Sequence, residues 1–243
     1  NELSAVCERI PDADVDIVTS AIGADVRVGR QYLRGGLGFG GPCFPRDNLA
    51  FQRCAEDAGT HVHLSPQVVQ VNGEVVNRLF AMIGEYAPSG STVALLGLSY
   101  KPGTHIVEES QAVMLAERLL DSGYSVRMHD PKATRSAAEV LRGRGVYCRD
   151  PYDAASGATV VVMLTNWPEY DRLDIETLEE RAAPSPLLID CWRQHRDRPW
   201  GRFAYRAFGI GTQATERNAY DTRPDICYQD NRRRTPVLER TTV

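Results

Sequence analysis

The chain has 243 residues, 42% of them hydrophobic and 25% charged, with 28 Lys+Arg against 32 Asp+Glu for a net charge of −4. These values exclude a wholly disordered chain, and the mild acidity argues against nucleic acid or an anionic membrane as partner, since both need clustered positive charge and the only dense basic run is Arg232–Arg234. No apolar stretch nears the roughly 20 residues of a membrane-spanning helix and no signal peptide is legible, so a soluble, cytoplasmic protein of one large or two small domains is expected.

Residues 14–24 carry Val15, Ile17, Val18, Ala21 and Ile22 at helical spacing, and residues 44–58 place Phe44, Leu49, Phe51 and Ala55 on a helix that opens at Pro45 and stops at Gly59. From Ser65-Pro66 a longer segment, with Val68, Val75, Val76, Leu79 and Ile83 recurring every three or four residues, runs to Pro88-Ser89-Gly90 and predicts one long helix. Beyond Gly90 short β-branched runs at 92–98, 125–129, 158–164 and 187–190 alternate with helical stretches at 112–120 and 133–141. The alternation predicts an α/β fold: a helical region over 1–88, then a Rossmann-like domain with a parallel sheet over 89–211. Residues 212–243 are polar and aperiodic, and a loosely ordered tail or an arm on a partner is expected there.

Six cysteines lie scattered without a Cys-x-x-Cys pair, which favours free thiols. His61 and His63 suit a loop between helices better than a metal centre, because no further Cys or His stands near them.

The densest candidate site is Leu33-Arg34-Gly35-Gly36-Leu37-Gly38-Phe39-Gly40-Gly41-Pro42-Cys43-Phe44-Pro45-Arg46-Asp47-Asn48. Its glycines permit positive φ and let the backbone press against a ligand. Pro45 suits a first helical turn, so Cys43 is expected at or just before the N-cap, where the helix dipole favours thiolate. Asp47, one turn on, falls on the same face and has the chemistry to hold a water or the reacting group. From local sequence alone two readings stand: a binding loop ending in a nucleophile, or a capping loop with a buried structural cysteine.

Gly-Phe-Gly-Gly-Pro-Cys43-Phe-Pro-Arg-Asp47 resembles the active-site motif of the UDP-glucose/GDP-mannose dehydrogenase family. Further matches run in order along the chain: Asn1-Glu2-Leu3, Asp25-Val26-Arg27-Val28-Gly29, Val71-Asn72, Leu96-Gly97-Leu98-Ser99-Tyr100-Lys101-Pro102, His129-Asp130-Pro131, Leu164-Thr165-Asn166-Trp167-Pro168-Glu169-Tyr170 and Gly209-Ile210-Gly211. The resemblance implies a helical central dimerisation region with a long connecting helix, then a UDP-binding Rossmann-like domain, in a homodimer. It implies oxidation of a nucleotide-sugar CH2OH to a carboxylate with two NAD+, through a thiohemiacetal and a thioester on Cys43. By the same resemblance Asp47 positions or activates water, Gly36, Phe39 and Gly40 cradle the substrate, and Tyr32 contacts the nucleotide-sugar. Arg27 reaches a neighbouring subunit's ligand, and Lys101 contacts substrate from the C-terminal domain. The loop is closer to UDP-glucose members than to the UDP-N-acetylmannosamine branch.

Two departures stand out. The family opens with a Gly-x-Gly-x-x-Gly NAD-binding domain and a helix bearing a catalytic Lys and Asn, and this sequence shows neither, so no cofactor-binding residue is assigned. Residues 91–211 do not read as that domain, because the turn Gly97–Pro102 lacks closely spaced glycines. Glu108 stands where the family has an arginine near the cofactor, reversing the local charge. The alternative function is therefore a nucleotide-sugar-binding and dimerisation module without redox activity. Cys191 reads as structural, and Arg193 as a residue that orients a loop.

Overall fold

The computed structural model describes residues 1–211, so the expected tail lies outside the described residues. Helices come first. α1 (Glu2–Cys7) is followed by α2 (Val15–Gly23), which begins where the Asp14 carboxylate accepts the Asp16 amide at 2.7 Å. α3 (Phe44–Asp57) has a proline in its first turn and Cys43 at its N-cap. His61–His63 form the loop that leads to α4 (Leu64–Tyr86). Apart from Ser65, the buried residues of α4 are Val75, Val76, Leu79 and Ile83, so its C-terminal half packs on the core. Its first turns leave Leu64 82% and Val68 42% exposed, with α3 alongside.

The rest is an alternation of strand and helix: β1 (Thr92–Leu96), α5 (Gln111–Asp121), β2 (Ser125–His129), α6 (Thr134–Val140), β3 (Val146–Tyr147), α7 (Pro151–Ala155), β4 (Val160–Met163), α8 (Ile175–Arg181), β5 (Leu187–Asp190) and β6 (Ala204–Ala207). The strands pair in parallel in the order β3-β2-β1-β4-β5-β6, the doubly wound order whose switch point falls between β1 and β4. The period of two divides each strand between two cores. Val93, Leu95, Val160, Val162 and Ile189 face α4 and α5, whereas Ala94, Leu96, Val161, Met163 and Leu188 face the α7 and α8 side.

β1 is shorter than expected because Gly97, at φ +96°, turns the chain out of the sheet against Thr165. β3, β6, α7 and α8 were not anticipated: two residues, Ala-Tyr-Arg-Ala, five residues and a charged seven-residue run carry too little periodicity to be seen. A bridge from Asp14 to Ile210 returns the end of the sheet domain to the start of α2. Among the described residues no helix is long and apolar enough to cross a membrane.

Candidate functional site

The glycine-rich loop crosses the C-terminal edge of the sheet, where ligands of this architecture bind. Gly38 and Gly40 meet Tyr100, Lys101, Asn166 and Trp192 around a cavity of about 50 Å³. Asn166 and Trp192 also wall an open groove of about 470 Å³, completed by Asp16, Arg30, Arg34 and Arg193. The two hollows thus share a wall, and cations stand along both.

The loop is held mainly through its own backbone. The Gly36 amide donates to Asn1 Oδ1 at 2.9 Å, Gly38 to Gln111 Oε1 at 2.6 Å, Phe39 to Asn72 Oδ1 at 2.8 Å and Gly41 to the Glu108 carbonyl at 2.9 Å. Glycine is required at Gly36, Gly38 and Gly41, and the first and last show why. A Cβ on Gly36 would come within 2.8 Å of the Trp192 ring, and Gly41, at φ +81°, lies flat against Tyr100.

Cys43 caps α3 with its carbonyl accepting the Asp47 amide at 2.8 Å, and its thiol is exposed, which removes the reading of a buried structural cysteine. The Asp47 carboxylate is 2.9 Å from Arg46. Arg46 is held more firmly protonated by Asp47 first and also by the Cys43 sulfur beside it. The Phe39 ring rests on the Phe44 ring with centroids 4.7 Å apart. Cys43 lines neither hollow, although Gly40, close before it in the loop, does.

The other expected residues are spread out. Lys101 lies at the cavity with its Nζ 5.4 Å from the Tyr100 ring centroid. Arg27 pairs with Asp25 at 2.6 Å on the surface, and Tyr32 is 94% exposed; neither touches the hollows. Glu108 and Glu109 line a separate hollow of about 480 Å³ together with Arg46 and Arg53. Cys191 is buried, and burial pushes its thiol well up. Arg193, in a left-handed conformation at φ +59°, donates to Asp16, to the Gly35 carbonyl at 2.9 Å and to the Phe208 carbonyl at 2.9 Å, binding loop, α2 and sheet edge together. Asn72, Gln111, Asn166 and Trp192 join the site through the fold, although Asn72 and Asn166 stand inside motifs of the sequence and Trp192 beside one.

The sheet does not offer the ribose site of an NAD-binding fold. A dinucleotide fold offers a free carboxylate after its second strand. Here Asp130 follows β2, is buried, and accepts from the amides of Leu98, Ser99, Lys132 and Ala133, the Ser99 hydroxyl and the Trp167 indole. No lone pair is left over for a ribose.

Residues 1–74 match the central domain of the UDP-glucose/GDP-mannose dehydrogenase family and residues 94–197 match that family's UDP binding domain. The chain is 35% identical over 217 residues to a UDP-glucose 6-dehydrogenase of Rhizobium meliloti, spanning 87% of this chain and 48% of that protein. It is 32% identical over 194 residues to UDP-glucose 6-dehydrogenase TuaD of Bacillus subtilis, spanning 78% and 41%. Among solved structures, a UDP-glucose dehydrogenase from Pyrobaculum islandicum superposes with a TM-score of 0.76 at 32% identity, over 87% of this chain and 47% of that one. The chain therefore spans about half the length of the curated relatives it matches.

Proposed function

Because the chain belongs to the UDP-glucose/GDP-mannose dehydrogenase family, we propose that it serves a nucleotide-sugar 6-dehydrogenase converting UDP-glucose to UDP-glucuronate. The observation that carries this reading is the pair of hollows divided by Asn166 and Trp192, with Lys101 on one side and Arg30 and Arg34 on the other, where Arg193 is already paired with Asp16. A diphosphate laid across that wall meets cations from both regions of the chain. The sugar end is directed to Gly38 and Gly40, on the loop that ends in Cys43.

In this reading the Cys43 thiolate adds to the C6 aldehyde, forming a C–S bond as the C=O π bond opens, and the resulting alkoxide takes a proton from water to give the thiohemiacetal hydroxyl. NAD+ is the acceptor the family uses for both oxidations, and none of the described residues is assigned to it. Water, polarised by Asp47, then displaces sulfur from the thioester, releasing the carboxylate and restoring the thiol. Arg46 offers positive charge to sulfur and carboxylate alike. We divide the chain into a helical region over 1–88 and a nucleotide-binding domain over 89–211, and we assign the apolar helical surface to a homodimer in which Arg27 reaches the partner's ligand, with Tyr32 kept as a contact to the nucleotide-sugar.

The complete gene product supplied with UDP-glucose and NAD+ should reduce NAD+, and Cys43→Ser should abolish steady-state turnover. Calorimetry on this chain should detect UDP-glucose, with Lys101→Ala weakening it about tenfold, the loss of one charge-assisted phosphate contact. Full turnover by Cys43→Ser refutes the thioester route. Binding without any reduction of NAD+ by the complete protein supports the other reading, a redox-inactive module, which Glu108 favours.

A further inference from the structure

Two side-chain amides join the nucleotide cavity to the cysteine loop. Gln111 opens α5, is buried, and forms part of the cavity wall. Its Oε1 accepts the Gly38 amide at 2.6 Å while its Nε2 donates to the Asn72 carbonyl at 2.6 Å. Asn72, on α4, accepts from the Phe39 amide at 2.8 Å and donates back to the Phe39 carbonyl at 2.9 Å, pairing with that residue as a neighbouring strand would. A Cβ on Gly38 would run into both amides, and the backbone from the Gly38 N–H to the Phe39 carbonyl is held at three successive peptides. The Phe39 ring rests on Phe44, the first residue of the helix that Cys43 caps. Contacts therefore run unbroken from the cavity wall through Gln111, Asn72 and Phe39 to Phe44, the chain neighbour of Cys43.

We propose that Asn72 and Gln111 are positioning residues that set the cysteine loop against the nucleotide domain and so fix how the Cys43 thiol is presented. The proposal rests on the functional reading above for what the thiol does, and on the hydrogen bonds alone for how it is held. Neither amide touches the reacting atoms. Each converts a flexible glycine-rich backbone into a placed one, which is where catalytic geometry is won or lost.

Thiol labelling tests this in the chain itself. A dipyridyl disulfide reacts with thiols in acid as well as in base, and peptide mass spectrometry reads Cys43 against Cys54, the second exposed cysteine of the same helix. Asn72→Ala removes both bonds to Phe39, and Gln111→Glu at about pH 8 removes the bond to the Asn72 carbonyl. In each the Cys43 rate should fall about fivefold relative to Cys54, the scale of one net hydrogen bond. Gln111→Glu should recover at about pH 5, because the protonated acid can again donate to the Asn72 carbonyl. A general loosening would move Cys54 as well and would not recover in acid. A ratio within about twofold of the wild type at matched pH in both folded variants, or a Gln111→Glu defect indifferent to pH, overturns the proposal; if Asn72→Ala does not fold, Gln111→Glu decides alone. Calorimetry with UDP-glucose on the wild type keeps the readings apart: no binding refutes the nucleotide assignment while the labelling ratio still judges the two amides.

Discussion

At the scale of single residues, Asp130 shows how a familiar motif position can be diverted. The carboxylate that would meet a ribose in a dinucleotide fold instead ties the turn after β1 to the turn after β2 and to Trp167. Asp130→Ala should therefore cost on the order of 3 kcal/mol or more, since it strands several buried donors; a urea midpoint unchanged from the wild type would show that they find other partners. Two glycines make a second comparison. Gly38 is boxed in by Asn72 and Gln111, whereas Gly73, on the exposed side of α4, has nothing within 4 Å of where a Cβ would stand. Alanine at Gly38 should destabilise by about 2 kcal/mol through forced displacement of the amides. Alanine at Gly73 should stabilise by about 0.5–1 kcal/mol, because helical glycine loses more backbone entropy on folding. Thermal melts of the two variants should move in opposite directions.

At the scale of elements, the connection between β5 and β6 bears both a site residue and a pH liability. It carries Arg193 and then His195, which is buried with neither ring nitrogen hydrogen-bonded and its ring edge-on to Trp200 at 5.4 Å. Burial lowers the His195 pKa, Asp190 opposes that, Arg198 adds to it and Asp171 again opposes. His129 is lowered likewise, chiefly by burial, against Asp130 and Asp150. A histidine with a depressed folded pKa leaves the unfolded chain to take up the proton first. Its stabilising contribution is thus complete above the ordinary value of 6.5 and is lost as pH falls below it. The melting temperature should drop between about pH 7.5 and about pH 5.5, and the drop should be smaller in a folded His195→Phe variant; an equal drop would clear His195 of responsibility. Elements with a continuous apolar or periodic pattern are legible in the sequence: β2 and β5 occur at their expected bounds, and the expected helix beginning near Ser65 is α4. β6 was not, because Ala-Tyr-Arg-Ala acquires strand character only by pairing with β5.

At the scale of the molecule, the helical region leaves apolar side chains outside. Val26 is 96% exposed, Leu64 82%, Ile17 67%, Leu49 60% and Phe51 58%, more than a scattering of single residues across one region would give. A second copy of the chain covering that surface predicts a dimer by light scattering, and Leu64→Glu with Leu49→Glu should shift it to a monomer without lowering the melting temperature of the sheet domain. A wild-type monomer at high concentration would refute the dimer. By itself, the sequence determined the α/β class, the order of the long elements, the family and the thiol at a helix start, because periodicity, glycine spacing and local capping are properties of neighbouring residues. Which groups converge on the loop was decided only by the fold. Asn72, Gln111, Glu108 and Arg193 act on it across 33, 73, 67 and 158 residues of chain, and only the packing of α4, the β1 turn and the β5 end brings those backbone and side-chain atoms within hydrogen-bonding reach.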